Sequence, residues 1–270
     1  MSSCDYNCES CQSKCDKQNF QIKTNNQSHI KKVFGVVSGK GGVGKSLVTS
    51  LLATASSNLG FKTCILDGDI LGPSIPKMFG ITEKAYGTED KLIIPAKTNN
   101  DIDVISTTML LNDDSEPIVW RGIMVANMIK QFYTDVLYKD QDVMFIDMPP
   151  GTGDVAITVF QSLPLDGIII VTSPQDLVSM IVEKAYNMAK MMNVPVVGLV
   201  ENYSYISCPD CGKKIKLFGE SNNKELAKDH AIPHYVSLPL DPELAKLCDE
   251  GRIDEAVVND FNELLLDILK

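Results

Sequence analysis

A doubly wound, mainly parallel α/β sheet is the fold class that this sequence predicts, and three observations predict it. Short apolar, β-branched runs recur along the chain from Lys31 onward. Helix-spaced stretches fall between many of them. The runs read apolar throughout instead of alternating, as strands do when helices cover both faces.

The first strand expected is Val33–Val37, a β-branched run ended by Ser38 and glycines. A helix follows over Ser46–Asn58, with Leu47, Leu51, Leu52 and Ala55 at helical spacing and Gly60 as a stop. Further strands are expected at Thr63–Leu66, Asp103–Ser106, Val143–Ile146, Ile168–Val171, Val194–Val200 and Tyr235–Ser237, and further helices notably at Ile123–Phe132, Leu177–Met192 and Asn259–Leu269. There is no internal repeat. Residues 31–270 therefore read as one domain. Residues 1–30 differ: apart from cysteines they offer little to build a core, and Lys23–Ser28 is polar throughout, which predicts a cysteine-rich tail and a flexible linker.

The 270 residues carry 25 Lys+Arg against 35 Asp+Glu, a formal net charge of −10. That balance argues against nucleic-acid binding and against attraction to anionic lipid. No apolar run approaches the roughly 20 residues of a membrane span, and the N-terminus lacks the basic start and apolar stretch of a signal peptide, so a cytoplasmic protein is expected. The last helix is amphipathic, but its polar face carries Asp254, Glu255, Asp260, Glu263 and Asp267 against Lys270. Docking on the protein's own body is the better reading of it. In a reducing compartment, 8 cysteines are thiols or metal ligands rather than disulfides.

Gly39-Lys40-Gly41-Gly42-Val43-Gly44-Lys45-Ser46 matches G-x-x-x-x-G-K-[ST] between a predicted strand and a predicted helix, the P-loop context. Glycines let successive backbone N–H groups surround phosphate oxygens, and the helix N-terminus, running on into Leu47, adds partial positive charge. Lys45 reaches the terminal phosphates and the Ser46 hydroxyl suits Mg²⁺, so ATP and Mg²⁺ are the expected ligands. Lys40 is a second lysine that holding phosphate within one chain does not require. It resembles the signature lysine of the deviant Walker A ATPases, the group of MinD, ParA, the nitrogenase iron protein and Mrp. That resemblance implies a nucleotide-sandwich homodimer in which Lys40 serves the other subunit's γ-phosphate. It also implies that Asp69 positions the attacking water, that Asp67 lies near the Mg²⁺ waters, and that Asp147 ends a Walker B strand on the metal's side. Asn202 matches the position that reads adenine in that group, and Pro239 to Asp241 resembles its second base-side segment.

Cys208-Pro209-Asp210-Cys211-Gly212 is a C-x-x-C knuckle. Two thiolates are half of the four ligands that tetrahedral zinc or the common iron–sulfur clusters take. His29, His230 and His234 show no ligand spacing to the pair, so a two-fold axis beside the knuckle would complete the site. Together with Val119-Trp120-Arg121-Gly122, Met148-Pro149-Pro150-Gly151-Thr152-Gly153-Asp154 and Glu201-Asn202-Tyr203-Ser204-Tyr205, the knuckle resembles that of the Mrp/ApbC-type iron–sulfur cluster carrier ATPases over about Lys31 to Asp249. Ile123 departs from that pattern, where proline is expected. The resemblance implies a labile [4Fe–4S] cluster bridged by Cys208 and Cys211 of two copies and passed to apo-proteins.

Cys4, Cys8, Cys11 and Cys15 form a second thiol set, for which an iron–sulfur cluster is favoured over zinc; a third possibility is that the tail caps the knuckle within one chain. Cys64 and Cys248 read as packing residues. Two other readings stand beside the carrier. One is a MinD/ParA-like positioning ATPase with a structural zinc knuckle; the other is a reductase like the nitrogenase iron protein.

Overall fold

The computed structural model describes residues 21–111, 122–151, 153–175 and 179–270. In chain order the strands are β1 (His29–Val37), β2 (Thr63–Asp67), the short β3 (Tyr86–Gly87), β4 (Ile93–Ile94) and β5 (Ala96–Lys97), then β6 (Asp103–Ile105), β7 (Asp140–Asp147), β8 (Gly167–Thr172), β9 (Val196–Ser207), β10 (Lys214–Ile215) and β11 (His234–Pro239). The α-helices are α1 (Lys45–Asn58), α2 (Ile75–Met78), α3 (Gly122–Asp135), α4 (Asp154–Ser162), α5 (Ser179–Met191), α6 (Asn223–Asp229), α7 (Pro242–Glu250) and α8 (Asn262–Ile268).

The main sheet runs β10-β9-β8-β1-β7-β2-β6-β5, with β11 also paired to β9. Pairings from β11 through β9, β8, β1, β7 and β2 to β6 are parallel; β5 and β10 join antiparallel. The expected α/β sheet is present. Every residue of β2 and β8 is buried, which is why those runs read apolar without alternation. Phe34 stacks on Phe145 at the sheet centre, and Leu51, Leu52, Ile129, Phe132, Val159 and Val182 cover the two faces from the helices. β1 is flanked by β7 and β8, both from much later in the chain, so the crevice of an open α/β sheet lies at its carboxyl end.

Several boundaries differ from the sequence reading. β9 extends past Val200 to Ser207, because it keeps pairing with β11 as far as Tyr205 and then pairs with the short β10. α7 starts at Pro242, with the Asp241 carboxylate accepting from the Glu243 N–H at 2.9 Å. The last helix begins at Asn262, not Asn259; its Leu264 and Leu265 are buried, so it docks on the body as expected. Gly198 makes room for that docking: a Cβ there would stand 2.6 Å from a Leu264 methyl carbon. The polar run expected to be a flexible linker is fastened. The Asn25 amide donates to the carbonyls of Thr134 and Val136, and the Tyr138 N–H donates to the Ser28 hydroxyl. The tail cysteines Cys4, Cys8, Cys11 and Cys15 lie outside the described residues, as do Val119, Trp120, Arg121 and Thr152.

The carboxyl ends of β2 and β7 meet at Gly68. Its N–H donates to the Asp147 carbonyl at 2.8 Å, and a Cβ on it would lie 2.7 Å from that same oxygen. Gly68→Ala should therefore push the two strand ends apart. The expected cost is about 1–3 kcal/mol in urea-denaturation stability; an unchanged midpoint would show that the strand ends have slack.

Candidate functional site

The loop Gly39–Ser46 joins β1 to α1. Gly42 and Gly44 hold positive φ of 81° and 82°. At Gly44 a Cβ would come within 2.2 Å of the Asn202 amide nitrogen and 2.9 Å of the Tyr203 hydroxyl, so only glycine fits between loop and strand β9. α1 begins at Lys45, and its N-terminus faces the crevice with unpaired N–H groups.

Behind the loop lies a buried charge cluster. Asp147, fully buried at the end of β7, meets the Lys45 ammonium at 2.7 Å. It also accepts from the Ser46 hydroxyl at 2.6 Å and the Thr49 hydroxyl at 2.9 Å. Asp67, at the end of β2, accepts from the Ser106 hydroxyl at 3.0 Å and the Asp69 N–H at 3.2 Å. Burial, then the Asp147 charge, raise the Asp67 carboxyl to about 8; Lys45 and Ser106 oppose them without prevailing. Burial also raises Asp69, against the pull of Lys45. Two carboxylates and a hydroxyl beside a single lysine form the hard-oxygen donor set that suits Mg²⁺.

The loop floors a cavity of about 540 Å³. Lys45, Ser46 and Asp69 line its phosphate end; Tyr203, Pro239–Asp241 and the Leu244/Cys248 face of α7 line the other. The Ser38 hydroxyl and the Lys45 ammonium are buried on this wall without a directional hydrogen bond, which fits a polyanionic ligand. The structure thus brings Gly41, Gly42, Gly44, Lys45, Ser46, Leu47 and Asp69 together around one cavity, with Asp67 and Asp147 behind it. Val43 is buried in the core. Lys40 is exposed and does not line the cavity; its ammonium lies 3.5 Å from the Gln175 carboxamide oxygen.

Asn202 stands behind the phosphate loop. Its amide donates to the Val43 carbonyl at 3.0 Å and its oxygen accepts from the Tyr203 N–H at 3.0 Å. It is 2% exposed and braces the loop instead of lining the cavity. Ser38, Thr49 and Ser106 carry no signal in their spacing that distinguishes them from ordinary polar residues, and Tyr203 shows in the sequence only as part of the Glu201–Tyr205 segment. Cys248 packs against the core as expected and also lines the cavity.

The cysteine knuckle is the tip of the β9–β10 hairpin. The Cys208 N–H donates to the Lys213 carbonyl at 3.0 Å and the Gly212 N–H to the Cys208 carbonyl at 2.9 Å, with Gly212 at φ 69°. The Cys211 and Asp210 N–H groups, with the Cys211 side chain, lower the Cys208 thiol below its ordinary value and favour thiolate. Among the described residues no group of three His, Cys, Asp or Glu side chains could hold a metal ion. Within those residues the knuckle offers two sulfurs and no more. His230 packs on the Tyr186 ring and His234 pairs with Asp267, so neither serves it.

The raised Asp67 value carries a pH consequence. Unfolded, this carboxyl ionises near its ordinary value of 3.8; folded, it keeps its proton to about 8. The folded state therefore holds more protons between those limits, so the contribution of Asp67 to stability is full below the lower limit and fades as pH rises through the upper one. In chelator-treated, nucleotide-free protein, Asp67→Asn should remove a pH-dependent loss of a few kcal/mol between about pH 4 and 8. Urea titrations at both ends of that window check it; parallel profiles for wild type and variant would contradict it.

Residues 29–269 match the model of the NUBPL iron-transfer P-loop NTPases, within the ParA group. An iron-sulfur cluster carrier protein from Clostridium perfringens is 44% identical over 239 residues, covering 86% of this chain and 84% of its own. Another from Methanocaldococcus jannaschii is 40% identical over 261 residues, with 93% and 90% covered. A nucleotide-binding protein from Archaeoglobus fulgidus, solved in complex with ADP, has a TM-score of 0.78 at 40% identity, covering 86% of this chain and 91% of that one. The cell division ATPase MinD from Pyrococcus furiosus, with a TM-score of 0.60 at 18% identity over 88% of this chain and 96% of its own, shares the fold. With its phosphate loop, buried carboxylates and match over nearly all of its described length, the chain belongs to the NUBPL iron-transfer P-loop NTPase family.

Proposed function

We propose that this protein is an ATP-hydrolysing iron–sulfur cluster carrier that holds a labile [4Fe–4S] cluster between two copies of itself and passes it to apo-proteins. The observation that carries the reading is the C-x-x-C tip on β9, the strand that also braces the phosphate loop, with no third metal ligand beside it among the described residues. A cluster with four cysteine ligands then draws two thiolates from each protomer of a homodimer. The names of relatives at 40–44% identity support the same cargo.

In this reading the loop amides and Lys45 hold the β- and γ-phosphates, and Leu47 sits on the cavity wall beside them. Ser46, Asp147 and, through water, Asp67 hold Mg²⁺, which when bound neutralises phosphate charge. Asp69, on the cavity wall, orients the attacking water. Lys40, which does not line its own cavity, serves the γ-phosphate of the second copy, and hydrolysis changes the dimer geometry and so the hold on the cluster. Cys4, Cys8, Cys11 and Cys15 would hold a separate iron–sulfur cluster or zinc. The working place is the cytoplasm, with neither membrane nor nucleic acid as partner; among the described residues no helix is long and apolar enough to cross a membrane.

The Cys208→Ala/Cys211→Ala double variant should lose the bridging cluster's iron and acid-labile sulfide on anaerobic reconstitution while keeping nucleotide affinity. Unchanged iron and sulfide at that site would refute the assignment. Lys40→Ala should bind ATP normally and hydrolyse it at least roughly 100-fold more slowly, as removal of a transition-state cation does elsewhere. An unaltered kcat would place Lys40 outside the chemistry.

A further inference from the structure

The middle of β9 is irregular where it passes the nucleotide cavity. Glu201 is still in register with Thr172 of β8 and Ser237 of β11. The next pairing with β11 joins Tyr205 to Pro239, so Asn202, Tyr203 and Ser204 bulge opposite Leu238 alone. Within the bulge Tyr203 holds a φ of 61°, a left-handed conformation that a bulky side chain rarely adopts. The bulge presses on the phosphate loop. Asn202 donates to the Val43 carbonyl, and the Tyr203 ring lines the cavity against Gly44. Tyr205 accepts from the Leu240 N–H at 2.8 Å, and beyond it the strand leaves the parallel sheet for Cys208.

Glu201 fastens this arrangement from below. Its carboxylate is 3% exposed and accepts from the Ser204 hydroxyl at 2.8 Å, from the Asn223 amide at 2.6 Å and from the Ser221 hydroxyl. Ser204 belongs to β9, on the way out to the cysteines; Ser221 lies in the segment that follows β10, and Asn223 is the first residue of α6. The clasp therefore ties β9 at its bulge to the chain beyond the hairpin. Asn223 also donates to the Ser173 carbonyl at 3.2 Å, two residues before Gln175, whose carboxamide meets Lys40. A buried carboxylate with every such donor in place is a rigid, high-stakes network.

We propose that Tyr203 and Glu201 are positioning residues for the cysteine pair. A nucleotide entering the cavity displaces the Tyr203 ring, the bulge shifts, and the Glu201 clasp passes the shift to the chain on both sides of the hairpin instead of letting it be absorbed within β9. Nucleotide state thereby sets the placement and accessibility of Cys208 and Cys211. This deepens the carrier reading, on which the functional meaning of the cysteine pair rests.

The test uses the full-length, cluster-free, reduced protein and measures thiol alkylation by peptide mass spectrometry, with and without Mg²⁺ and a non-hydrolysable ATP analogue. Cys248, on the cavity wall, reports occupancy by its protection in the same digest. In wild type, saturating nucleotide should change the alkylation rate of Cys208 and Cys211 by roughly five-fold or more, the scale of ordinary coupling between sites. Glu201→Gln should keep Cys248 protection and solution mass while the Cys208/Cys211 response falls within about two-fold, well below that scale. Ser221→Ala, a milder cut in the same clasp, should reduce the response in the same direction and keeps the test open if Glu201→Gln does not fold. Tyr203→Gly, which removes the ring and frees the backbone, should abolish the response at full occupancy.

A wild-type response retained in these variants, no response in wild type, or a loss that accompanies loss of the dimer would each overturn the proposal. If the nucleotide response follows this pattern but reconstitution yields no cluster on Cys208 and Cys211, the carrier reading fails and the coupling stands.

Discussion

The buried Asp147 carboxylate is the constraint around which the site is organised. An anion with no exposure is tolerable only when its charge is met and its lone pairs are occupied. Lys45, Ser46 and Thr49 do this together, and all three project from the first turns of α1. One side chain at the end of β7 thus fixes the start of that helix, and with it the direction in which the loop amides point. Its charge also reaches across to Asp67, the neighbouring strand end, where it helps to keep a proton in place. The cluster holds a single positive side chain, and it stands directly behind the wall of the cavity that Lys45 and Ser46 line.

The fold was legible because its signals are local and repeated. Runs such as Ile168–Val171 and Cys64–Leu66 are apolar at every position, and they are buried at every position. The phosphate loop was legible for a different reason: its glycines and its lysine are required by geometry at fixed spacing, and Gly44 proves to be wedged against Asn202 and Tyr203. The cysteine pair was legible as a count of ligands. What failed to show was anything set by long-range contact. Thr49 and Ser106 are ordinary polar residues until the sheet brings Asp147 and Asp67 to them. Asn202 stood at a position associated with the base, and the bulge in β9 turns its amide toward Val43. The same bulge carries the strand on to Ser207, beyond the apolar run by which it was located.

The two chemistries of the molecule are physically adjacent because of that strand. Its inner half is a sheet strand like the others, held on both edges. Its outer half keeps a single pairing with β11, at Tyr205, then pairs with the two residues of β10 and leads to the sulfurs at the tip. The Lys214 ammonium, 4.0 Å above the Tyr205 ring, is one of the few contacts that stiffen this part. Around it Ile215, Leu217 and Phe218 stand exposed, an apolar margin on an otherwise acidic protein.

The placement of β1 has a consequence for how the chain comes off the ribosome. The strand at the centre of the sheet is made first, yet neither of its edges can be satisfied until Asp140–Asp147 and Gly167–Thr172 have been synthesised. At translation speeds of about 5–20 residues per second, the nascent His29–Val37 segment waits on the order of ten seconds with both hydrogen-bonding edges open. Such non-local closure is intrinsically slow and leaves a sticky apolar strand unprotected meanwhile. The sheet's central strand is therefore the segment whose exposure lasts longest as the protein is made.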